Sequence, residues 1–299
     1  MGNWVLYGAT VLIWGSSWLG IKFQLGLVAP EVSVAYRFVI AAALLLGICL
    51  ASGRSLRFSG RTHMFLALQG VPMFSINYMI FYVASDYLTS GLVAVTFSSI
   101  VAMNIVLGAL FLGLPIRPRA VLGAALGMLG LGLVFWRDLA GFESSVAGLA
   151  GLALALLATS FASLGNIAAV RNHKAGVPVL QGTAIGMVYG AAFTLITCLA
   201  RGLPFAFDPS PLYIGVLVYL AVLATVVAFL CYLTLLGRIG PDRAAYASVL
   251  LPVVALALST VFEGYTWTWT AIAGLALVVA GNAIMLAKFA RSEPAPVES

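Results

Sequence analysis

Apolar runs of about 20 residues, the length that carries an α-helix across the hydrocarbon of a bilayer, recur along this chain with only short polar connections between them. Bounded by charges or by Pro and Gly clusters, ten such runs fall at about 3–21, 32–51, 64–84, 88–112, 120–136, 146–169, 178–199, 212–235, 244–262 and 268–287. The 15 Lys and Arg and 9 Asp and Glu make only 8 % of the 299 residues, and 63 % are hydrophobic. About a quarter of a soluble domain is charged, so a water-soluble globule is excluded. Of all these charges only Arg37 lies inside a run. That segregation is expected where a charge at mid-bilayer costs about 3 kcal/mol or more. The expectation is an all-α polytopic membrane protein with ten transmembrane helices.

Orientation follows from where Lys and Arg fall in the short connections. The even-numbered connections and the C-terminal tail together hold eleven, among them Arg54, Arg57, Arg61, Arg117 and Arg119. The opposite side holds Lys22, Arg137 and Arg201. Both termini are therefore predicted cytoplasmic, and the net charge of +6 is a consequence of topology. No basic stripe with interleaved aromatics supports a nucleic-acid partner. No basic segment precedes Trp4 and no small-residue cleavage site follows the first run, so that run is expected to stay as a helix. Residues 292–299 read as a short disordered cytoplasmic tail. Cys49, Cys198 and Cys231 are odd in number and sit in apolar runs, which suits buried hydrophobes rather than a disulfide framework.

The chain also matches itself weakly at a shift of about 150 residues. Gly123 and Gly130 align with Gly274 and Gly281 at the same separation, Phe81-Tyr82 with Cys231-Tyr232, and Ser17-Trp18 with Ser160-Phe161. Apolar helices of low complexity can also align by chance. If the match is real, five is an odd number of spans, so the halves 1–145 and 146–291 would run in opposite directions. They would form two inverted five-helix repeats around a central cavity, the plan of many secondary transporters.

The stretch Leu12-Ile13-Trp14-Gly15-Ser16-Ser17-Trp18, then Tyr36-Arg37-Phe38, Leu251-Pro252, Phe262-Glu263-Gly264, Gly274 and Gly281 resembles the drug/metabolite transporter superfamily, in particular its ten-helix EamA-type permeases. Where that pattern repeats the Pro and the terminal Glu in the first half, this chain has Ala102-Met103 and Gly113-Leu114. Its aromatic-rich spans are most similar to amino-acid exporters of the YddG type. The resemblance implies a bacterial inner-membrane carrier that needs no cofactor and works as a monomer. The 12 Arg against 3 Lys suit a GC-rich bacterial genome.

Inside a bundle, polar side chains and amphipathic aromatics turn toward one another. Helical spacing puts Phe74, Tyr78 and Tyr82 on one face with Asn77 beside them, and groups Trp14 with Ser17 and Trp18, Thr159 with Ser163 and Asn166, and Thr225 with Phe229 and Tyr232. Tyr246 opens the ninth run. Together they would make a neutral, aromatic, hydrogen-bonding cavity. Helix packing by Ser and Thr and an interfacial aromatic belt are the alternatives, and the belt is preferred for Trp4, Trp136, Tyr265, Trp267 and Trp269. Arg37 has two readings: contact with a substrate carboxylate or a gate, or else a pair with Asp86 or Glu31 or snorkelling to the interface. Pro252 suits a bend near the site, and Glu263 a pairing or gating position at a helix end.

Every lysine lies in a connection or at a run end, and no carboxylate lies at mid-membrane. Phosphorylated and cationic cargoes are therefore disfavoured. Neutral zwitterionic amino acids, aromatic ones above all, are expected, exported by alternating access, with other uncharged metabolites or drugs as the alternative. An intramembrane enzyme or a lipid flippase is the competing class. The enzyme would need a nucleophile with its base, or metal ligands, at membrane depth, yet His63 and His173 fall on connections.

Overall fold

The computed structural model describes residues 2–116, 118–136, 145–232, 234–235 and 247–286, and every regular element among them is helical. In chain order these are α1 (Asn3–Phe23), α2 (Pro30–Ala51), α3 (Gly60–Tyr87), α4 (Ser90–Leu112), α5 (Pro118–Val134), α6 (Ser145–Lys174), α7 (Val179–Ala200), α8 (Pro211–Tyr232), α9 (Ala247–Phe262) and α10 (Trp269–Leu286). Seven of the described helices, α1–α4 and α6–α8, are long and apolar enough to cross a membrane, while α5, α9 and α10 are shorter apolar helices. The chain is thus a helical, multi-pass membrane protein. Tyr246, Arg137, Arg238, Arg243 and the tail lie outside the described residues.

Local chemistry sets the helix ends. Pro30 and Pro211 open α2 and α8, where a missing N–H costs nothing. Side-chain oxygens of Ser59, Thr89 and Ser210 accept from the free N–H groups of Thr62, Leu92 and Tyr213, capping α3, α4 and α8. Gly113 stops α4 in the left-handed region at φ 64°. Two helices carry a wider turn, α3 at Pro72–Ile76 and α8 at Tyr219–Val227. In α8 the Thr225 hydroxyl donates to the Leu220 carbonyl at 2.8 Å and satisfies an acceptor that the π geometry loosens.

Glycines set the closest approaches. A Cβ on Gly70 of α3 would collide with the Gly186 carbonyl of α7, and one on Gly190 would lie 2.9 Å from the Gly70 carbonyl oxygen. Between α5 and α10, a Cβ on Gly130 would stand 2.5 Å from the Gly274 oxygen, one on Gly274 2.5 Å from the Gly130 oxygen, and one on Gly281 2.5 Å from the Gly123 oxygen. With no apolar penalty for exposure in lipid, close backbone packing of this kind supplies the cohesion between helices. Trp4 and Trp269, respectively 88 % and 86 % exposed, lie on the perimeter.

At the end of the bundle where α1 finishes, the helices are tied together. The Lys22 ammonium donates to the carbonyls of Ser85 and Leu88, and Arg201 pairs with Glu31. The Glu263 carboxylate, just past α9, accepts the Ser90 N–H at 3.0 Å on both oxygens and the Ser90 hydroxyl as well. It thereby caps the positive end of α4.

Candidate functional site: a central aromatic cavity

A cavity of about 770 Å³ lies between α1, α2, α3, α4, α6 and α8, with Arg119 and Ala120 of α5, Met187 of α7 and Leu251 of α9 also in its wall. Short connections reverse the chain between α1 and α2 and between α3 and α4, so side chains from helices running in both directions reach the cavity. Toward the Lys22 end three rings close it. Trp18 stands 5.0 Å from Phe81 and 5.2 Å from Phe97, and Phe81 stands 5.7 Å from Phe97. Toward the other end the wall continues to Leu114, Pro115 and Arg119, all exposed. The wall therefore runs from this ring cluster at the Lys22 end to exposed residues at the other.

Of the residues expected from sequence, Trp14, Ser17, Trp18, Arg37, Asn77, Tyr78 and Asn166 lie on this wall, as do Thr225, Phe229 and Tyr232. Trp14 donates its indole N–H to the Ala224 carbonyl at 2.9 Å, and the Ser17 hydroxyl bonds the Trp14 carbonyl at 2.7 Å. Two expected residues stand behind the wall. Tyr82 is fully buried and donates to Gln24 Oε1 at 2.5 Å, and Ser163, also fully buried, donates to Asn104 Oδ1 at 2.7 Å. The reason for Tyr82 is rotational: in the regular turns that begin at Asn77, the wall residues Asn77, Tyr78 and Phe81 centre on one direction and Tyr82 lies about 90° around the helix from it. Pro252 lies one residue from the wall residue Leu251, and Glu263 lies at the tied end rather than in the cavity.

Sequence reasoning missed Asn104, Phe97 and Met73 on the wall. Asn104 is the sole amide in its apolar run and could have been found by the rule that singled out Asn77 and Asn166. Because Tyr82 is held by Gln24 outside the wall, Tyr82→Phe should leave transport within about twofold of wild type and cost about 1 kcal/mol of stability. Flux and thermal denaturation of the same preparation check this, and a large loss of flux at normal stability would place the phenol in contact with cargo.

Arg37 is the outstanding electrostatic feature. It is 2 % exposed, donates from Nε to Thr225 Oγ1 at 3.2 Å, and has the Tyr78 ring 4.6 Å and the Phe38 ring 5.3 Å from its guanidinium carbon. Neither of the acids considered from sequence meets it. Glu31 is paired with Arg201 and Asp86 is exposed. Burying a charge costs several kcal/mol. A charged hydrogen bond returns about 1.5–3 kcal/mol and a desolvated cation–π contact about 2 kcal/mol. One terminal nitrogen, Nη1, is buried with no hydrogen-bond partner, and so is the Asn77 amide oxygen on the same wall. Two residues of the wall thus carry, each buried, an unmet donor on a cation and an unmet neutral acceptor.

Apolar helices around one deep cavity with a few convergent polar groups define a membrane carrier. The chain belongs to the EamA-like transporter family, whose model matches it twice, over residues 3–136 and 149–287. It is 24 % identical over 291 residues to an uncharacterized transporter of Archaeoglobus fulgidus, spanning 96 % of this chain and all of that one. It is 25 % identical to a probable amino-acid metabolite efflux pump of Salmonella typhimurium, over 91 % of this chain and 90 % of the pump. A protein of known crystal structure has the same fold, with a TM-score of 0.66, 20 % sequence identity and coverage of 96 % of this chain and 98 % of its own.

Proposed function

We propose that this transporter exports neutral amino acids, aromatic ones among them, across the bacterial cytoplasmic membrane by alternating access. The observation that carries this reading is the buried Arg37, whose Nη1 lacks a partner on the cavity wall. An α-carboxylate supplies the anion that Arg37 lacks, and the Asn77 oxygen supplies an acceptor for the α-ammonium. Aromatic walls suit the remaining side chain. Phosphorylated cargo is disfavoured because the cavity has one deep cation rather than a cluster. Among the residues lining it there is no Asp or Glu, which supports facilitated movement down the cargo gradient over a carboxylate proton relay.

The architecture proposed for this function is ten transmembrane helices in two inverted repeats, 1–145 and 146–291, sufficient as a monomer. Two matches of one family model support it, and so do the glycine contacts: shifting Gly130 and Gly274 by the repeat turns that contact into the one between Gly281 and Gly123. With both termini cytoplasmic, the Arg119 end faces the cytoplasm, and this is the loading state.

Purified protein in liposomes should show saturable counterflow of labelled phenylalanine or leucine without any added energy source. Absence of saturable flux for every neutral amino acid, with flux of another uncharged metabolite, would move the assignment to that class. Alternating access also requires the tied end to open. Glu263→Ala removes charge-assisted bonds of about 1.5–3 kcal/mol from the closed state. An impermeant maleimide added from the Lys22 side should therefore label Phe97→Cys at least about tenfold faster in the Glu263→Ala background. An unchanged rate would remove Glu263 from the closure.

A further inference from the structure

We infer that Asn104 and Asn166 form a second polar station in the cavity, one that takes a hydroxyl or amide at the far end of the cargo's side chain and so favours tyrosine over phenylalanine. This rests on the amino-acid reading above and deepens it.

The two amides face each other across α4 and α6. Asn104 Oδ1 accepts from Ser163 Oγ at 2.7 Å and from Asn166 Nδ2 at 3.4 Å, which occupies its acceptor capacity and fixes which way the amide points. Among the described residues no acceptor takes the Asn104 Nδ2 hydrogens and no donor reaches Asn166 Oδ1. Both residues are in the cavity wall. The station therefore offers donors and an acceptor side by side, the complement of a hydroxyl or a carboxamide. Around it the wall is apolar, with Ile100, Val101, Ile105, Ala162 and Ile167, so a polar group on the cargo meets these amides or nothing.

Depth separates this station from Arg37. Asn104 and Asn166 each stand eight residues before the end of their helices at Leu112 and Lys174, and Arg37 stands fourteen before the end of α2 at Ala51. All three ends lie on the same side of the bundle, so at 1.5 Å per residue the stations differ by about 9 Å in depth. That is comparable to the reach of a tyrosine from its α-carboxylate to its phenol oxygen. Ser163 does not touch the cavity; it is a positioning residue that holds Asn104 in the donating orientation.

The test is counterflow of tyrosine and phenylalanine, two cargoes that differ by one hydroxyl. In wild-type protein the KM for tyrosine should be about tenfold below that for phenylalanine, the factor one well-placed hydrogen bond supplies. Asn104→Leu should erase that preference by raising the tyrosine KM about tenfold, and a monodisperse detergent-solubilised species with a wild-type Tm reports that the variant folds. Equal KM values in the wild type overturn the station without recourse to any variant. So does an Asn104→Leu protein in which the preference survives or both fluxes fall together. If the wild type carries leucine but neither of these two, the station fails and the amino-acid reading stands; if it carries no neutral amino acid, both fail.

Discussion

Arg37→Leu should abolish saturable amino-acid flux, by at least about a hundredfold, while the protein stays folded with an unchanged or higher Tm. The two readouts are expected to move apart because the guanidinium is a cost to the empty carrier. Its contacts within the protein are all with neutral groups: a hydrogen bond to Thr225, the faces of Tyr78 and Phe38, and the neighbouring Tyr82 phenol. Leucine fills much of the space with no charge to bury, and the Thr225 hydroxyl keeps its bond to the Leu220 carbonyl. Loss of a charged contact to a desolvated carboxylate is worth about 3–5 kcal/mol, and each 1.4 kcal/mol is a factor of ten. Arg37→Lys should restore only part of the flux, since a point charge lacks the planar two-donor fork. Cargo esters without a carboxylate should be indifferent to the substitution. Near-normal flux in Arg37→Leu would show that the charge serves something other than cargo.

The largest structural effect is expected at Gly70. Gly70→Val places a side chain where the Gly186 carbonyl of α7 already stands, and neither partner is a flexible side chain that could turn away. Overpacking of flexible contacts costs about 1–3 kcal/mol, and a clash of backbone on backbone must cost more. We expect loss of the monodisperse detergent-solubilised species, or a Tm drop of more than about 10 °C. Gly47→Ala is the matched control, because a Cβ there meets open space on the lipid side of α2. Normal folding of Gly70→Val would mean that α3 and α7 can separate without penalty.

Much of this arrangement was legible in the sequence because lipid imposes simple rules. The ten apolar runs found by length and charge coincide with α1–α10 to within a few residues, apart from the start of the ninth, which lies outside the described residues. Periodicity also grouped Trp14 with Trp18 and Thr225 with Tyr232. It failed where a helix departs from 3.6 residues per turn or where a partner comes from elsewhere in the chain. Gln24, lying past the end of α1, captures the Tyr82 phenol, a contact no spacing rule contains. The wider turn at Pro72–Ile76 carries the wall residues Met73 and Phe74 and resets the face of α3 before Asn77, Tyr78 and Phe81. The ties of Lys22 and Glu263 are equally hidden, since both are made to backbone groups at helix ends distant in sequence.

The α5–α10 seam has a mechanical meaning. In the two-repeat architecture proposed above, a contact that the exchange of the two halves carries onto its own twin would have the same geometry before and after the exchange, and would never have to break for cargo to cross. On that proposal, helices joined backbone to backbone at Gly130 and Gly274 would serve as a fixed axle, and the other helices around the cavity would do the swinging. Changes at the axle should then alter how much carrier the membrane holds, whereas changes at the cavity alter how fast each copy turns over.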